Sequence, residues 1–259
     1  MGDIFEEIIK LRHEGKGAVL ATVISVKGSA PRKEGAKMLI KGDGAVLGSI
    51  GGGSTEARVC QEAKRIMDTG KPEILHFDLT GETAKEGMIC GGVMDLFVEP
   101  ILPPPTLYIF GGGHISIPLT KMAKMVGYNI VIIDERPDFA SPERFPEADK
   151  VFAQNFAEVF PKLKVNKLSS VVIVTQSHFS DEVVLEWAVK TDARYIGMVA
   201  SKKKKEAIFS RLTAKGIPED LLQKVHAPIG LLNMGAETPE EIAVSILAEL
   251  IKTRVESYK

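Results

Sequence analysis

Leu107-Tyr108-Ile109-Phe110-Gly111-Gly112-Gly113-His114-Ile115-Ser116 decides the fold. An apolar run of strand length enters three glycines and leaves as the start of an amphipathic segment, 115–125. Downstream, 129–134, 171–175 and 195–199 read as further strands, and 182–190, 202–215 and 239–254 read as helices. The last helix is the best marked: Thr238 stands at its cap, Pro239 in its first turn, and Glu241 at the capping-box position. Strand and helix alternating in this way predict a mostly parallel sheet covered on both faces.

Glycines between a strand and a helix let backbone N–H groups approach a phosphate at the positive end of the helix dipole. Asp134 closes the next strand about 20 residues on, where a dinucleotide fold places its ribose-binding acid. Ser116 stands in for the third glycine of that pattern and is small enough to keep helix and strand close. The expectation is a Rossmann-like domain over 107–259. Its candidate anion and ribose contacts are Gly111, Gly113, His114, Asp134 and Arg136, with a tight ligand-free βα turn as the alternative.

The region before it has another grammar. Three consecutive prolines, Pro103 to Pro105, suit a semi-rigid linker over 101–106. Residues 1–100 read as an α+β domain. Asp3 caps a helix whose apolar stripe is Ile4, Phe5, Ile8, Ile9 and Leu11; a strand follows at 18–26, then a hairpin around Gly42-Asp43-Gly44. A helix at 54–69 and strands at 73–79 and 93–100 complete it. The fold class is therefore α/β, an N-terminal α+β domain followed by a Rossmann-like domain with a mostly parallel sheet.

Composition narrows the function. The 259 residues carry 33 basic and 34 acidic side chains, 44% hydrophobic and 26% charged residues. That balance fits an ordinary globular protein and lacks the basic surplus of a dedicated nucleic-acid binder. No apolar run approaches the ~18 residues that span a bilayer, and no signal peptide follows Met1, so a cytoplasmic protein with reduced thiols is expected.

The two cysteines differ. Cys60 lies mid-helix with Ala57, Ala63 and Met67 at helical spacing and reads as an inert core residue. Cys90 precedes Gly91 and Gly92 just before a strand, a setting for a soft metal ligand, a sulfur carrier or a nucleophile, or else for a small buried turn residue. Gly51, Gly52 and Gly53 form a second strand-to-helix glycine loop, equally suited to an anion nest or a sharp turn. His178 and Asp181 follow a strand and so stand at the carboxyl edge of the sheet. The run Lys202 to Lys205 opens a helix against its dipole and reads as a solvated basic face unless an anion offsets it.

Together these segments resemble the xanthine dehydrogenase accessory protein family (XdhC/CoxI) over nearly the whole chain. The resemblance rests on Gly28-Ser29-Ala30-Pro31-Arg32, Gly35-Ala36-Lys37-Met38, Gly48-Ser49-Ile50-Gly51-Gly52-Gly53 and Cys90-Gly91-Gly92. The second half adds Gly111-Gly112-Gly113-His114, Asp134-Glu135-Arg136-Pro137, His226-Ala227-Pro228-Ile229-Gly230 and Thr238-Pro239-Glu240-Glu241. It departs at Gln176, where related sequences carry a histidine, and at Ser54, where some carry a cysteine.

The resemblance implies a chaperone without turnover of its own. It would bind molybdenum cofactor (molybdopterin), protect it, and assist its sulfuration and insertion into an apo xanthine dehydrogenase-type hydroxylase, with a cysteine desulfurase as a further partner. Cys90 would be the metal or sulfur contact, Arg32 and Lys37 phosphate contacts, and the chain a homo-oligomer with neither nucleic acid nor membrane as partner. The rival reading is an NAD(P)-binding oxidoreductase or redox sensor built on the second domain.

Overall fold

The computed structural model describes residues 3–79, 91–231 and 234–256. The chain falls into two compact units that part between Pro103 and Pro104.

The N-terminal unit runs α1 (Ile4–His13), β1 (Ala18–Lys27), β2 (Lys37–Lys41), β3 (Val46–Gly48), α2 (Gly53–Thr69), β4 (Glu73–Asp78) and β5 (Val93–Ile101). The strands form one antiparallel sheet in the order β3-β2-β1-β5-β4. Strand alternation sorts the side chains onto two faces. Val19, Ala21, Val23, Met38, Ile40, Met94, Leu96 and Val98 pack with Val59, Ala63 and Ile66 of α2. Ala18, Leu20 and Leu39 turn the other way and meet Ile4, Ile8 and Leu11 of α1.

Two sequence expectations fail here. Phe5 and Ile9 are exposed rather than part of the buried stripe, because Ile4, Ile8 and Leu11 alone fill the i, i+4, i+7 face. Cys60 is exposed as well. The buried stripe of α2 is Thr55, Val59, Ala63 and Ile66, and the residue after Val59 lies about 100° around the helix from it.

The C-terminal unit runs β6 (Thr106–Phe110), α3 (Ser116–Met125), β7 (Asn129–Asp134), β8 (Lys150–Ala153), α4 (Phe156–Val159), β9 (Ser170–Ile173), α5 (His178–Ala188), β10 (Tyr195–Met198), α6 (Lys202–Ala214), α7 (Glu219–Gln223), β11 (Val225–His226) and α8 (Pro239–Glu256). All six strands are parallel, in the order β11-β10-β9-β6-β7-β8. Numbered from β6, that is the 3-2-1-4-5-6 order of the Rossmann fold, with its switch point between β6 and β9.

Leu107, Ile109, Ile130, Ile132 and Val172 cluster with residues of α3 and α8. Tyr108, Phe110, Val131, Ile133, Val171 and Ile173 cluster with residues of α4, α5 and α6. Each fully buried aliphatic or aromatic side chain contributes about 1.5–3 kcal/mol, so these two layers fix the strand ends from which the functional loops depart. The capping box of α8 is formed: Glu241 Oε2 accepts from Thr238 N at 3.0 Å and Thr238 Oγ1 accepts from Glu241 N at 3.2 Å.

Candidate functional site

Antiparallel register brings the motifs of the N-terminal unit to one end of its sheet. β1 leaves there at Lys27, opposite the start of β5 at Val93, which also faces the end of β4 at Asp78. The start of β2 and the end of β3 lie at the same end, where Met38 pairs with Gly48. The turn after β1, the loop before α2 and the Gly91–Gly92 pair therefore emerge together.

They touch through backbone that only glycine permits. A Cβ on Gly92 would overlap the Ser29 carbonyl, and one on Gly28 would lie 3.1 Å from Gly92 Cα. A Cβ on Gly51 would stand 2.9 Å from Pro31 Cβ. Gly52 and Gly91 face open space, with no atom within 4 Å of such a Cβ, and both hold positive φ. Arg32 is exposed beside this cluster. Lys37 is half-buried, and its ammonium donates to Gly35 O at 3.3 Å. Cys90 lies outside the described residues.

The nest formed by the loop before α2 already holds an anion, and it belongs to the protein. Glu56 Oε1 accepts from Ser49 Oγ at 2.7 Å, Gly52 N at 2.9 Å and Ile50 N at 3.0 Å. Burial pushes this carboxyl up, but the Ser49 hydroxyl and the loop N–H groups outweigh it and hold Glu56 below its ordinary value.

In the C-terminal unit the first two of the three glycines after β6 are held by hydrogen bonds to the end of β7. Gly111 N donates to Ile133 O at 2.7 Å, and Gly112 N donates to Asp134 Oδ2 at 2.8 Å. Asp134 Oδ1 also accepts from Arg136 N at 3.0 Å and Arg136 Nε at 2.9 Å, while its Oδ2 accepts from Arg136 Nη2 at 2.8 Å. Each carboxylate oxygen thus has two donors, and the side chain is buried. Burial raises this carboxyl, yet the Arg136 side chain and the Gly112 and Arg136 N–H groups together hold it below its usual range. Arg136 stacks 3.6 Å above the Phe139 ring centroid, and Arg144 Nε donates to Gly112 O at 3.1 Å.

Asp134 therefore fastens the glycine loop and keeps no lone pair open for a ribose hydroxyl. Gly113 is the open end of the loop. No atom lies within 4 Å of a Cβ built there, His114 is exposed, and the N–H groups of both find no partner among the described residues.

Two further acids hold partners from other elements of the C-terminal unit, Asp181 buried and Glu249 half-buried. Asp181, 1% exposed, is ion-paired with Lys204 and accepts from Thr175 Oγ1 at 2.7 Å, and Lys204 Nζ also donates to Val199 O at 3.0 Å. Glu249 accepts from Tyr195 Oη at 2.5 Å and Gly230 N at 2.7 Å, and lies 2.9 Å from His226 Nδ1. Burial raises Glu249, but the His226 ring, Tyr195 and Gly230 N outweigh it and keep it ionised below the ordinary range. Sequence reading missed Lys204 and Glu249. One sits in a lysine run and the other on a helix flank, and each acquires its meaning from a partner far along the chain. His178 is exposed in the first turn of α5, which Ser177 caps. Among the described residues no group of three or more His, Cys, Asp or Glu side chains is placed to hold a metal ion.

The model of the XdhC Rossmann domain matches residues 107–250, and that of the XdhC and CoxI family matches residues 11–78. The chain belongs to the XdhC and CoxI family. It is 31% identical to the uncharacterized protein YqeB of Escherichia coli over 97% of its own length, but spans only 46% of that protein. It is 24% identical to a probable xanthine dehydrogenase subunit of Bacillus subtilis, covering 98% of each chain. It is 22% identical to the molybdenum cofactor insertion chaperone PaoD of Escherichia coli, over 93% of this chain and 85% of that one. A crystal structure of a xanthine dehydrogenase from Bacillus halodurans aligns over 98% of this chain and 96% of that one, with TM-score 0.55 and 25% identity.

Proposed function

We propose that this XdhC/CoxI-family chain binds the molybdenum cofactor, shields it, and assists its sulfuration and its insertion into an apo xanthine dehydrogenase-type hydroxylase. One observation carries the reading: the turn after β1, Gly51 and the Gly91–Gly92 pair meet at one end of the N-terminal sheet, with Arg32 exposed beside them. Cys90 is the residue before Gly91 in the sequence. The name of PaoD, a cofactor insertion chaperone, supports the same direction.

The residues fit such a ligand. The cofactor, when bound, supplies a phosphate and a soft metal with oxo and sulfido ligands. Open glycine surfaces at Gly52 and Gly91 admit a bulky organic group against the backbone. Glu56 already fills the donors at Ile50 and Gly52, so the phosphate falls to Arg32 and Lys37. Cys90 is the soft sulfur contact, because a thiolate matches such a metal better than any oxygen ligand. The N–H groups of Gly113 and His114 remain for an anionic group in the Rossmann unit.

The chain acts as a carrier in the cytoplasm, as a homo-oligomer, and meets a cysteine desulfurase as sulfur source. The NAD(P)-dependent reading has less support, since Asp134 offers a ribose no free acceptor. The experiment is anaerobic activation of a purified apo-hydroxylase by sulfurated cofactor with and without this chain. Faster and fuller activation with the chain present is the expected result, and equal activation in both would overturn the reading.

A further inference from the structure

Helix α8 is apolar on two sides. Ala243, Ile246, Leu247 and Leu250 are buried in the cluster with β6, β7 and α3. Val244, Ala248, Ile251 and Val255 stand at i, i+4, i+7 and i+11, and so lie within about 60° of arc as a second stripe along the helix. Val244 is 41% exposed and Val255 50%, with Ala248 and Ile251 half-buried between them.

That pattern does not suit a face turned to water. A helix laid on a sheet presents polar residues outward, and one that is apolar all round belongs in a buried place. The exposed positions of α6 follow the rule, being mostly charged or hydroxylated, as at Lys202, Lys203, Glu206, Ser210 and Thr213. On α8 the apolar surface even spreads beyond the helix. A Cβ on Gly230 would meet Ser245 Oγ, so the approach to α8 lies against its flank, and Leu231 and Met234 are exposed along that approach.

We propose that α8 is the surface on which two copies of this chain pair, antiparallel, about a twofold axis passing between Ala248 and Ile251. Volume and charge both select a second copy as the occupant. In this register Val244 meets Val255 of the second copy and Ala248 meets its Ile251, and the reverse, so a small residue faces a large one beside the axis and the contact closes on itself. The exposed face carries Glu240 and Glu241 in its first turn and Lys252 towards its last. Antiparallel pairing sets each acidic end beside the basic end of the other copy and opposes the two helix dipoles, whereas parallel pairing would set like charges together. The inference rests on the homo-oligomer of the proposed function and supplies its surface. One helix pair with short flanks is a small interface, so the dimer dissociates on dilution in the micromolar range.

Sedimentation equilibrium of the full chain without cofactor, from about 1 to about 100 μM, reads the association. Wild type shows a monomer–dimer equilibrium in that range. Ala248→Glu brings two carboxylates together beside the axis and weakens the dimer at least about tenfold, and Ala248→Lys does the same with two ammonium groups. An equimolar mixture of the two folded variants regains the dimer, because opposite charges now meet. Should either variant fail to fold, Val244→Ser combined with Val255→Ser carries the same expectation of weakening. Phe5→Ser combined with Ile9→Ser, on the exposed apolar pair of α1, leaves the dimer unchanged. An unaltered dimer in the α8 variants, no recovery in the mixture, or loss in the α1 variant instead overturns the α8 surface and leaves the homo-oligomer standing. A wild type that stays monomeric throughout overturns both. No molybdenum enters the assay, so its outcome and that of the cofactor experiment are read independently.

Discussion

Substituting Asp134 by Asn tests whether this acid is a structural clip or a ligand acceptor. The carboxylate receives Gly112 N, Arg136 N and two guanidinium nitrogens, and is itself buried. Asn keeps the shape but removes the charge, and sets an NH₂ group against donors that the carboxylate accepted. Breaking a buried pair from one side costs about 3–5 kcal/mol. The Arg136 side chain remains 30% exposed and can turn to water, so about 2–4 kcal/mol is the appropriate range here.

Trp187, the only tryptophan, sits in α5 stacked on Phe160 at 4.5 Å, so its fluorescence reports the Rossmann unit. With a urea slope of about 2 kcal/mol/M, the midpoint falls by about 1–2 M at pH 7. The pH dependence has a definite sign. Asp134 is depressed below its ordinary 3.8, so its contribution is complete above that value and disappears as pH falls through the folded-state value. The gap between wild type and variant is therefore constant at neutral pH and narrows only below about pH 4. A midpoint shift no larger than that of a surface substitution, about 0.5 kcal/mol, would refute the clip.

The other predictions concern single contacts. Gly112→Ala places a Cβ onto the Phe139 carbonyl and lowers stability by about 3 kcal/mol or more, whereas Gly113→Ala meets open space and stays within about 1 kcal/mol; paired thermal melts read both. Glu56→Gln weakens the acceptor for Ile50 N and Gly52 N by about 1 kcal/mol, seen as faster hydrogen exchange at those two amides. Because Glu56 lies below its ordinary 4.5, that protection in wild type is lost only as pH falls beneath that value, and unchanged exchange rates would contradict the assignment. In a Cys90→Ser background, exposed Cys60 is alkylated by a maleimide without unfolding, and Cys60→Ser changes stability by no more than about 0.5 kcal/mol.

The regular parts of the molecule were open to reading from sequence because burial imposes a period. Asn129–Asp134 and Lys37–Lys41 occupy the spans their apolar runs predict, and Thr238 with Glu241 caps α8 as their spacing requires. The short elements β8, α4, α7 and β11 escape, since two to five residues hold too little pattern to distinguish strand or helix from loop. Helix α5 begins earlier than its apolar residues suggest because Ser177 provides the cap, its side chain accepting from Ser180 N.

The error at Cys60 is one of helical phase. Ala57 and Met67 suggested a stripe that Thr55 and Val59 occupy instead. The glycine loops were legible as strand-to-helix turns, but their internal carboxylates were not. Glu56 and Asp134 are four and two residues from groups they bind, close enough for a turn to join them, yet nothing in composition separates an acid facing solvent from one facing its own backbone. Lys204 and His226 are harder still, because their partners Asp181 and Glu249 arrive from other elements of the sheet's surround.

The most direct measurement of the account is retention of molybdenum after anaerobic reconstitution with purified cofactor and gel filtration, comparing wild type, Cys90→Ser and Cys60→Ser. Wild type and Cys60→Ser keep the metal, and folded Cys90→Ser releases it. Equal retention by all three proteins, or none by wild type, would contradict a carrier that works through the cysteine beside Gly91.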